Sequence, residues 1–233
     1  MLALRDERAS RAFDLPGAWW PDQPDVIGGR DRTAGGSWCV SNVASGVTSV
    51  VLNRPDKPVA EPQAPSRGVL PLLAAKHREQ WPEHLDVTGM ASFNLVLATP
   101  DAFSWWQFDG ERLVGRQLVS GTYMFTPVGL PAGGPDHRFT DSPAGFAGDL
   151  AAPTEEAWPG WLGVVRDSVP TSDPAGLLVR MPVDDDSFET VFGQFIAARP
   201  ATLRLDYVTS PASGQPWVRE LWAGEPGSSG RLA

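Results

Sequence analysis

Cysteine and histidine are both scarce in this sequence. Cys39 is the only cysteine among 233 residues, so no disulfide bond can form within the chain. The three histidines, His77, His84 and His137, do not have the spacing that is typical of a metal site. The sequence therefore predicts no bound metal and no cofactor.

Basic residues are also few. The chain has 19 lysines and arginines against 28 aspartates and glutamates, which gives a formal net charge of −9 at pH 7. Such a charge repels phosphate backbones and anionic lipid surfaces, which argues against nucleic acid as a partner. A small molecule is the expected ligand or substrate, and the sequence indicates no particular oligomeric state.

Long apolar runs are missing. The longest one, around residues 68–75, is far too short to span a bilayer. The opening residues 1–4 lead directly into charged residues, without the apolar stretch of a signal peptide. These features predict a cytoplasmic protein without a membrane span.

Glycine and proline are abundant, with 24 and 23 residues, and they predict long irregular connections. Hydrophobic residues make up 42% of the chain, which is sufficient for an ordinary core. We expect a single domain over residues 1–222, a flexible tail over 223–233, and a lid-like or flexible segment at about 127–160.

Short runs with the pattern typical of β-strands recur along the chain. Ser45-Gly46 and Asp109-Gly110 are turn sequences that join neighbouring runs into hairpins. A loop rich in Pro, Trp and Gly is expected over residues 16–36. The predicted strands cover residues 37–43, 47–53, 92–98, 103–108, 113–118, 121–125, 201–209 and 216–222, together with the apolar opening residues.

Apolar residues at helical spacing predict three helices. The first covers residues 68–81, and the second is capped by Thr154 and reaches about residue 168. The third begins at Asp186, which with Glu189 has the spacing of a capping box. Its core-facing residues are Phe188, Val191, Phe192, Phe195 and Ile196.

The order of these elements indicates the fold class. Strands are grouped in runs, and the helices lie between the groups. This arrangement is typical of an α+β fold in which helices cover antiparallel sheets.

Five short strings occur in an order that resembles a known family. They are LALRDE at the start, GGRD followed by GGSW, VVLN, FNLV at 93–96 and SGTY at 120–123. Together they resemble the landmarks of the NRDE-motif family, also called the transport and Golgi organisation protein 2 group. That family is similar to the N-terminal nucleophile hydrolases, so the resemblance implies a four-layer αββα sandwich. Since the family's first strand lies upstream of its motif, part of that strand is expected to be missing here.

The resemblance also implies a type of chemistry. In the branch that includes conjugated bile acid hydrolases and penicillin acylases, an N-terminal cysteine attacks an amide, and its own α-amino group acts as the base. On this template Arg5 and Asp6 match the motif's Arg and Asp, which orient the amine and the thiolate. Asn53 matches an Asn whose side chain donates to the oxyanion.

The sequence departs from the family pattern in several places. Leu4 stands where the motif has Asn, and Thr126-Pro127 stands where the family has Ser-Asn. The family's cysteine lies upstream of the motif, and no cysteine precedes Arg5 here. We therefore expect a catalytically incomplete protein that binds or handles a small amphipathic molecule, such as a lipid, an acyl compound or a haem-like molecule. The alternative is a C–N amide hydrolase whose N-terminal Cys was lost through a misassigned start.

Each candidate catalytic residue also has a plain structural interpretation. Arg5 and Asp6 are also consistent with a solvated charge cluster, and Asn is a common residue where a strand ends, as at Asn53. Cys39 lies in an alternating run, where a free cysteine usually packs as a small apolar group.

Ten tryptophans are an unusually large number for this length. Adjacent tryptophans on a strand point to opposite faces, so one of each pair is expected in the core and the other at a loop or cleft. Trp20, Trp38 and Thr126 are the candidate ligand-binding residues. Packing in the core or against loops is the alternative role of the tryptophans.

Overall fold

Two antiparallel β-sheets make up most of the fold. The computed structural model describes residues 1–119, 123, 125–129, 158–173, 176–224 and 230–232. Within these ranges the chain forms thirteen strands, two α-helices and two short 3₁₀ segments. The prediction of an α+β fold is confirmed at this level.

One sheet has seven strands that pair in chain order, from β2 to β8. Each pair of neighbours is antiparallel. The strands are β2 (Phe13–Gly17), β3 (Val26–Asp31), β4 (Cys39–Asn42), β5 (Val47–Asn53), β6 (Phe93–Ala98), β7 (Phe103–Phe108) and β8 (Leu113–Leu118).

The other sheet has six strands in the order β1-β10-β11-β12-β13, and β9 also pairs with β10. The N-terminal strand β1 therefore pairs with β10, which lies near the other end of the sequence. The strands are β1 (Leu2–Arg8), β9 (Arg180–Val183), β10 (Asp186–Arg199), β11 (Thr202–Thr209), β12 (Val218–Ala223) and β13 (Gly230–Leu232).

A shared apolar core joins the two sheets. Phe192 on β10 is fully buried in it. Its ring lies 5.7 Å from the ring of Phe13 on β2 and 5.6 Å from that of Trp38, centroid to centroid. Ile27 and Cys39 from the seven-stranded sheet belong to the same cluster.

Each sheet also packs against one helix. Helix α1 (Val69–His77) buries Leu70 and Ala74 against β5 and β6. Helix α2 (Trp158–Asp167) contributes Val165 to a cluster with Phe195 of β10. Phe195 lies on the face of β10 that points away from the seven-stranded sheet. The two 3₁₀ segments are Arg78–His84, which follows α1 directly, and Pro211–Ser213. None of the described helices has the length and apolar character needed to span a membrane.

The predicted helix beginning at Asp186 is wrong, because these residues form β10. This strand lies between β1 and β11 and is covered on both faces. Phe192 and Ile196 face the other sheet, whereas Phe195 faces the cluster with Val165. Apolar residues on both faces of a central strand therefore produced a spacing that resembles a helix. Asp184, with a φ of 55°, forms the turn between β9 and β10 instead of a helix start.

The predicted loop over residues 16–36 is also wrong in part, since it contains the end of β2 and all of β3. The first helix is shorter than predicted: it ends at His77, and a 3₁₀ segment containing Pro82 continues to His84.

The hairpin predictions are confirmed. β4 and β5 are joined through Gly46 with a φ of 70°, and β7 and β8 through Gly110 with a φ of 109°. The strands β6, β11 and β12 also lie where they were predicted, and α2 lies within the predicted range.

Other predictions fall wholly or largely outside the described residues. They are the strand over 121–125, the cap at Thr154 and the lid-like segment at about 127–160.

Replacing Phe192 by alanine tests the core between the sheets. We expect Phe192→Ala to lower the free energy of unfolding by about 3–5 kcal/mol, because a fully buried ring is lost and a cavity remains. Urea denaturation measures the change. The control is Val59→Ala, whose side chain is 75% exposed and whose loss should stay within about 0.5 kcal/mol. A loss below about 1 kcal/mol for Phe192→Ala would contradict this packing.

Candidate functional site

A cavity of about 940 Å³ is lined by both sheets. Strand β1 contributes one side, and strands β5 and β6 contribute another. This volume lies in the range of sites for small organic ligands. The residues that line it include Arg5, Asp6, Arg11, Asp31, Trp38, Asn53, Arg67, Phe103, Tyr123, Phe125, Thr126 and Pro127.

A buried ion pair connects the two sheets at this cavity. Arg5 on β1 is only 7% exposed, and its Nη2 donates to Oδ2 of Asp31 on β3 at 3.1 Å. Arg11 Nε donates to the same oxygen at 2.7 Å. The backbone N–H groups of Thr33 and Ala34 donate to the other Asp31 oxygen. Since a buried charge is tolerated only when it is paired and hydrogen-bonded, these contacts stabilise Asp31 in its charged form.

Aromatic rings cover the Arg5 guanidinium. Its central carbon lies 4.3 Å from the centre of the Trp38 ring and 5.0 Å from that of Phe13. Nη1 of Arg5 is buried and has no hydrogen-bond partner among the described residues. Cation–π attraction offsets part of the cost of this missing bond.

The surroundings shift the pKa values of both partners. Burial lowers the pKa of Arg5, and the carboxylates of Glu7 and Asp31 oppose that shift. Burial acts to raise the pKa of Asp31, but hydrogen bonds from Arg11 and from the Ala34 N–H outweigh it and keep that pKa below its usual range. Asp31 is therefore a carboxylate at neutral pH.

Asp6 has a different partner from Arg5. Its Oδ1 accepts a hydrogen bond from Oγ1 of Thr190 on β10 at 2.6 Å. The pairing of β1 with β10 shifts register between Arg5 and Asp6. Arg5 pairs with Phe192 and Asp6 with Thr190, so the extra residue of this bulge, Val191, lies on β10. Arg5 and Asp6 are both among the residues that line the cavity.

The other predicted site residues fall into two groups. Asn53, the exposed last residue of β5, lines the cavity together with Trp38 and Thr126. Trp20 does not line it: this residue packs in a separate cluster around Val26, and its Nε1 donates to the Gly35 carbonyl at 3.1 Å. The structure thus brings five of the six predicted residues to one cavity.

Arg67 lines the cavity but was not identified from the sequence. Its Nη1 donates to the Ser92 carbonyl at 2.9 Å, and burial lowers its pKa. Arg67 belongs to the segment before α1, which packs closely against the segment around Gly36. A Cβ at Gly36 would lie 2.5 Å from the backbone of Gly68, so the close contact requires a glycine there. The GG pair was visible in the sequence, but its contact with the segment around Arg67 was not.

Cys39 is not part of the cavity lining. Its side chain is 1% exposed in the core between the sheets, and burial raises the pKa of its thiol to about 12. The prediction that it packs as a small apolar group is confirmed. A thiol with this pKa is protonated at neutral pH and is a poor nucleophile.

Metal-binding groups are not clustered in the described part of the chain. There, no three His, Cys, Asp or Glu residues are grouped so that they could hold an ion. His77 and His84 stack on each other with 3.5 Å between ring centres, and His137 lies outside the described residues.

Comparison with known proteins identifies a family. The sequence model described as Transport and Golgi organisation 2 matches residues 1–127, which is more than half of the chain. The matched range contains strands β1 to β8 and all of the predicted site residues. No curated protein matches the chain.

Asp31→Asn tests the ion pair. We expect a loss of about 3–5 kcal/mol in the free energy of unfolding at pH 7, because Arg5 would keep a buried charge without its carboxylate. The pKa of Asp31 is lower in the folded chain, so its contribution is present above about pH 4 and is lost as the pH falls through the folded value.

Urea denaturation between pH 3 and pH 8 measures this effect. The difference between the wild type and Asp31→Asn should be constant from pH 5 upwards and should shrink below about pH 4. Asp185→Asn, at an exposed turn, is the control and should change little at any pH. A difference of the same size at pH 3 and pH 7 would disprove the assigned role of the charge.

Proposed function

Because the chain belongs to the transport and Golgi organisation 2 family, we propose that it binds a small amphipathic molecule in the cavity lined by Arg5, Trp38 and Asn53. A lipid, an acyl compound and a haem-like molecule all have this character. Binding, rather than turnover, is the proposed activity.

The mixed lining of the cavity is the observation that carries this proposal. One part is aromatic: the rings of Phe103, Tyr123 and Phe125 contact one another at centroid distances of 5.5 to 6.4 Å. Another part is charged and contains the Arg5–Asp31 pair. A ligand with an apolar body and a polar group can contact both parts.

The charged part has no strong excess of one sign. Arg5, Arg11 and Arg67 line it together with Glu7 and Asp31, and Asp6 lies next to them. Arg11 and Glu7 approach to 3.5 Å. A cationic, anionic or neutral polar group of a ligand can therefore find a partner here. The expected ligand is amphipathic, with no particular sign of charge.

The state of the only cysteine supports binding over turnover. The Cys39 thiol is buried, its pKa is raised to about 12, and it is absent from the cavity lining. It is therefore not the nucleophile of an acyl-transfer reaction in this cavity.

The layer order supports a relation to the N-terminal nucleophile hydrolases. Helix α1 packs on the seven-stranded sheet, the two sheets share a core, and α2 packs on the six-stranded sheet. We propose that this helix–sheet–sheet–helix order is the four-layer αββα sandwich implied by the sequence resemblance.

Fluorescence titration tests the binding proposal. Haemin, a long-chain acyl-CoA and cholate are titrated separately, and at least one should give a saturable change in tryptophan emission. Trp38→Phe should reduce this change, because Trp38 lines the cavity. Trp20→Phe is the matched control and should leave it intact, because Trp20 packs in a different cluster.

Blocking the cavity gives a second check. Ala98→Trp adds a large ring to the lining and should weaken binding at least about tenfold, or about 1.4 kcal/mol. Ala212→Trp, at an exposed position outside the lining, should not affect it. Saturable binding that survives Ala98→Trp would place the ligand elsewhere, and the absence of any saturable change would refute the proposal.

A second candidate function is C–N amide hydrolysis by a form of the protein that begins further upstream with a cysteine. The specific observation in its favour is that Arg5, Asp6 and Asn53 line one cavity. In such a form the N-terminal thiolate would attack the amide carbonyl, the amine would leave with a proton, and water would hydrolyse the thioester.

This candidate predicts activity that depends on the added cysteine. The chain extended to an upstream in-frame Met-Cys should release glycine from glycocholate or hydrolyse penicillin V, as measured by product formation. Replacing the added cysteine by alanine should abolish the reaction, because no thiolate would remain. An extended chain that folds but shows no turnover would eliminate this candidate.

A further inference from the structure

Asn94 is a polar residue in the middle of a strand that is otherwise apolar. It lies on β6, and its exposed fraction is 0%. Phe93 and Leu95, its neighbours in sequence, pack in the cluster around α1. Asn94 therefore points to the opposite face, together with Val96 and Ala98, which line the cavity. Because burying an unpaired amide is costly, a residue of this type needs a complete set of partners.

The Asn94 side chain has four hydrogen-bond partners, two on each side of its amide. Oδ1 accepts from Trp105 Nε1 at 3.1 Å and from Arg54 Nη1 at 3.3 Å. Nδ2 donates to the Thr126 carbonyl at 3.3 Å and to the Pro127 carbonyl at 3.1 Å. Donors face the oxygen and acceptors face the nitrogen, so these partners determine the orientation of the amide.

The carbonyls that Nδ2 reaches belong to a tight turn, Thr126 to Gly129. The Gly129 N–H donates to the Thr126 carbonyl at 2.8 Å, and the Thr126 N–H donates to the Gly129 carbonyl at 3.2 Å. Gly129 has a φ of 98°, and a Cβ at this position would lie 2.9 Å from the Trp105 ring. The turn therefore rests on the same tryptophan that donates to Asn94.

This turn is part of the cavity wall. Thr126 and Pro127 line the cavity, as does the preceding Phe125, whose ring lies 5.8 Å from that of Trp105. The position of the turn therefore affects the space available to a ligand. Asn94 itself is covered and does not line the cavity.

We propose that Asn94 is a positioning residue of the ligand site: its Nδ2 holds the Thr126–Gly129 turn in place as one wall of the cavity. This inference rests on the proposed binding function. The same carboxamide ties the turn to β7 through Trp105 and to the segment after β5 through Arg54. Asn94 thus sets the width of the cavity without touching the ligand.

Asn94→Asp tests this role with almost no change in shape. The aspartate keeps an oxygen that accepts from Trp105 and Arg54, but it places a second oxygen against two carbonyl oxygens. We expect the turn to move away from β6. The amide hydrogens of Thr126 and Gly129 should then exchange with deuterium at least about tenfold faster, since the bonds that protect them would be weakened.

Ligand affinity is the second readout. The probe is 1-anilinonaphthalene-8-sulfonate, an amphiphile that fluoresces in apolar sites, and its dissociation constant should rise at least about tenfold in Asn94→Asp. Gly129→Ala should have the same two effects, because its Cβ would push the turn off Trp105 without changing Asn94.

Ser41→Ala is the control for a general loss of stability. It removes a buried hydrogen bond of 2.8 Å between Ser41 and Thr48, and neither residue lines the cavity. The exchange rates at Thr126 and Gly129 and the affinity for the probe should both stay within about twofold of the wild type.

The outcomes separate this inference from the binding proposal. Unchanged exchange at Thr126 and Gly129 in Asn94→Asp would overturn the positioning role, whether or not any amphiphile binds. Faster exchange with unchanged probe affinity would overturn the link to the ligand site. If the wild type bound no amphiphile, the proposed function would fail, and the inference would lose its ligand site while the exchange data still reported on the turn.

Discussion

The contact on which this structure depends most is the ion pair between Arg5 and Asp31, because it joins the two sheets at the cavity. β1 is paired with β10, whereas Asp31 ends β3 in the other sheet. Removing Asp31 would leave the buried Arg5 with the longer contact to Glu7 at 3.7 Å, whereas Asp31 would keep Arg11 if Arg5 were removed. The two sheets are held together at this point by electrostatics as well as by apolar packing. The Trp38 ring completes the environment of the guanidinium and belongs to both the core and the cavity wall.

Hydrogen bonds between buried polar groups border the cavity on two sides. On one side, Arg5 and Asp31 fix β1 against the seven-stranded sheet. On another, the Asn94 amide holds the Thr126 turn. In both cases a hydrogen bond joins buried polar groups that are distant in sequence, and such groups have few alternative arrangements. Contacts of this kind restrict the shape of the cavity.

Local signals explain which parts of the fold were predictable. The hairpins that turn at Gly46 and Gly110 were found because a turn residue with positive φ lies between two strand-like runs. The helix prediction for β10 was wrong because both faces of this strand are buried. Its apolar residues therefore do not alternate with polar ones, and their spacing resembles that of a helix with one buried face. Its β-branched and aromatic residues, such as Val191 and Phe192, favour a strand and were the signal that could have corrected the prediction.

The α+β class, the family and several residues of the cavity lining, including Arg5, Asn53 and Thr126, could be predicted from the sequence. The fold class follows from strand-like runs and turn sequences, which depend on neighbours in the chain, whereas the family and the roles of Arg5 and Asn53 came from the resemblance of short motifs. Three-dimensional contacts were needed to show that Arg5 pairs with Asp31, that Trp38 and not Trp20 lines the cavity, and that Arg67 lines it too. Those assignments depend on contacts between segments that are remote in sequence, and the periodicity of a single strand carries no information about which partner will cover it.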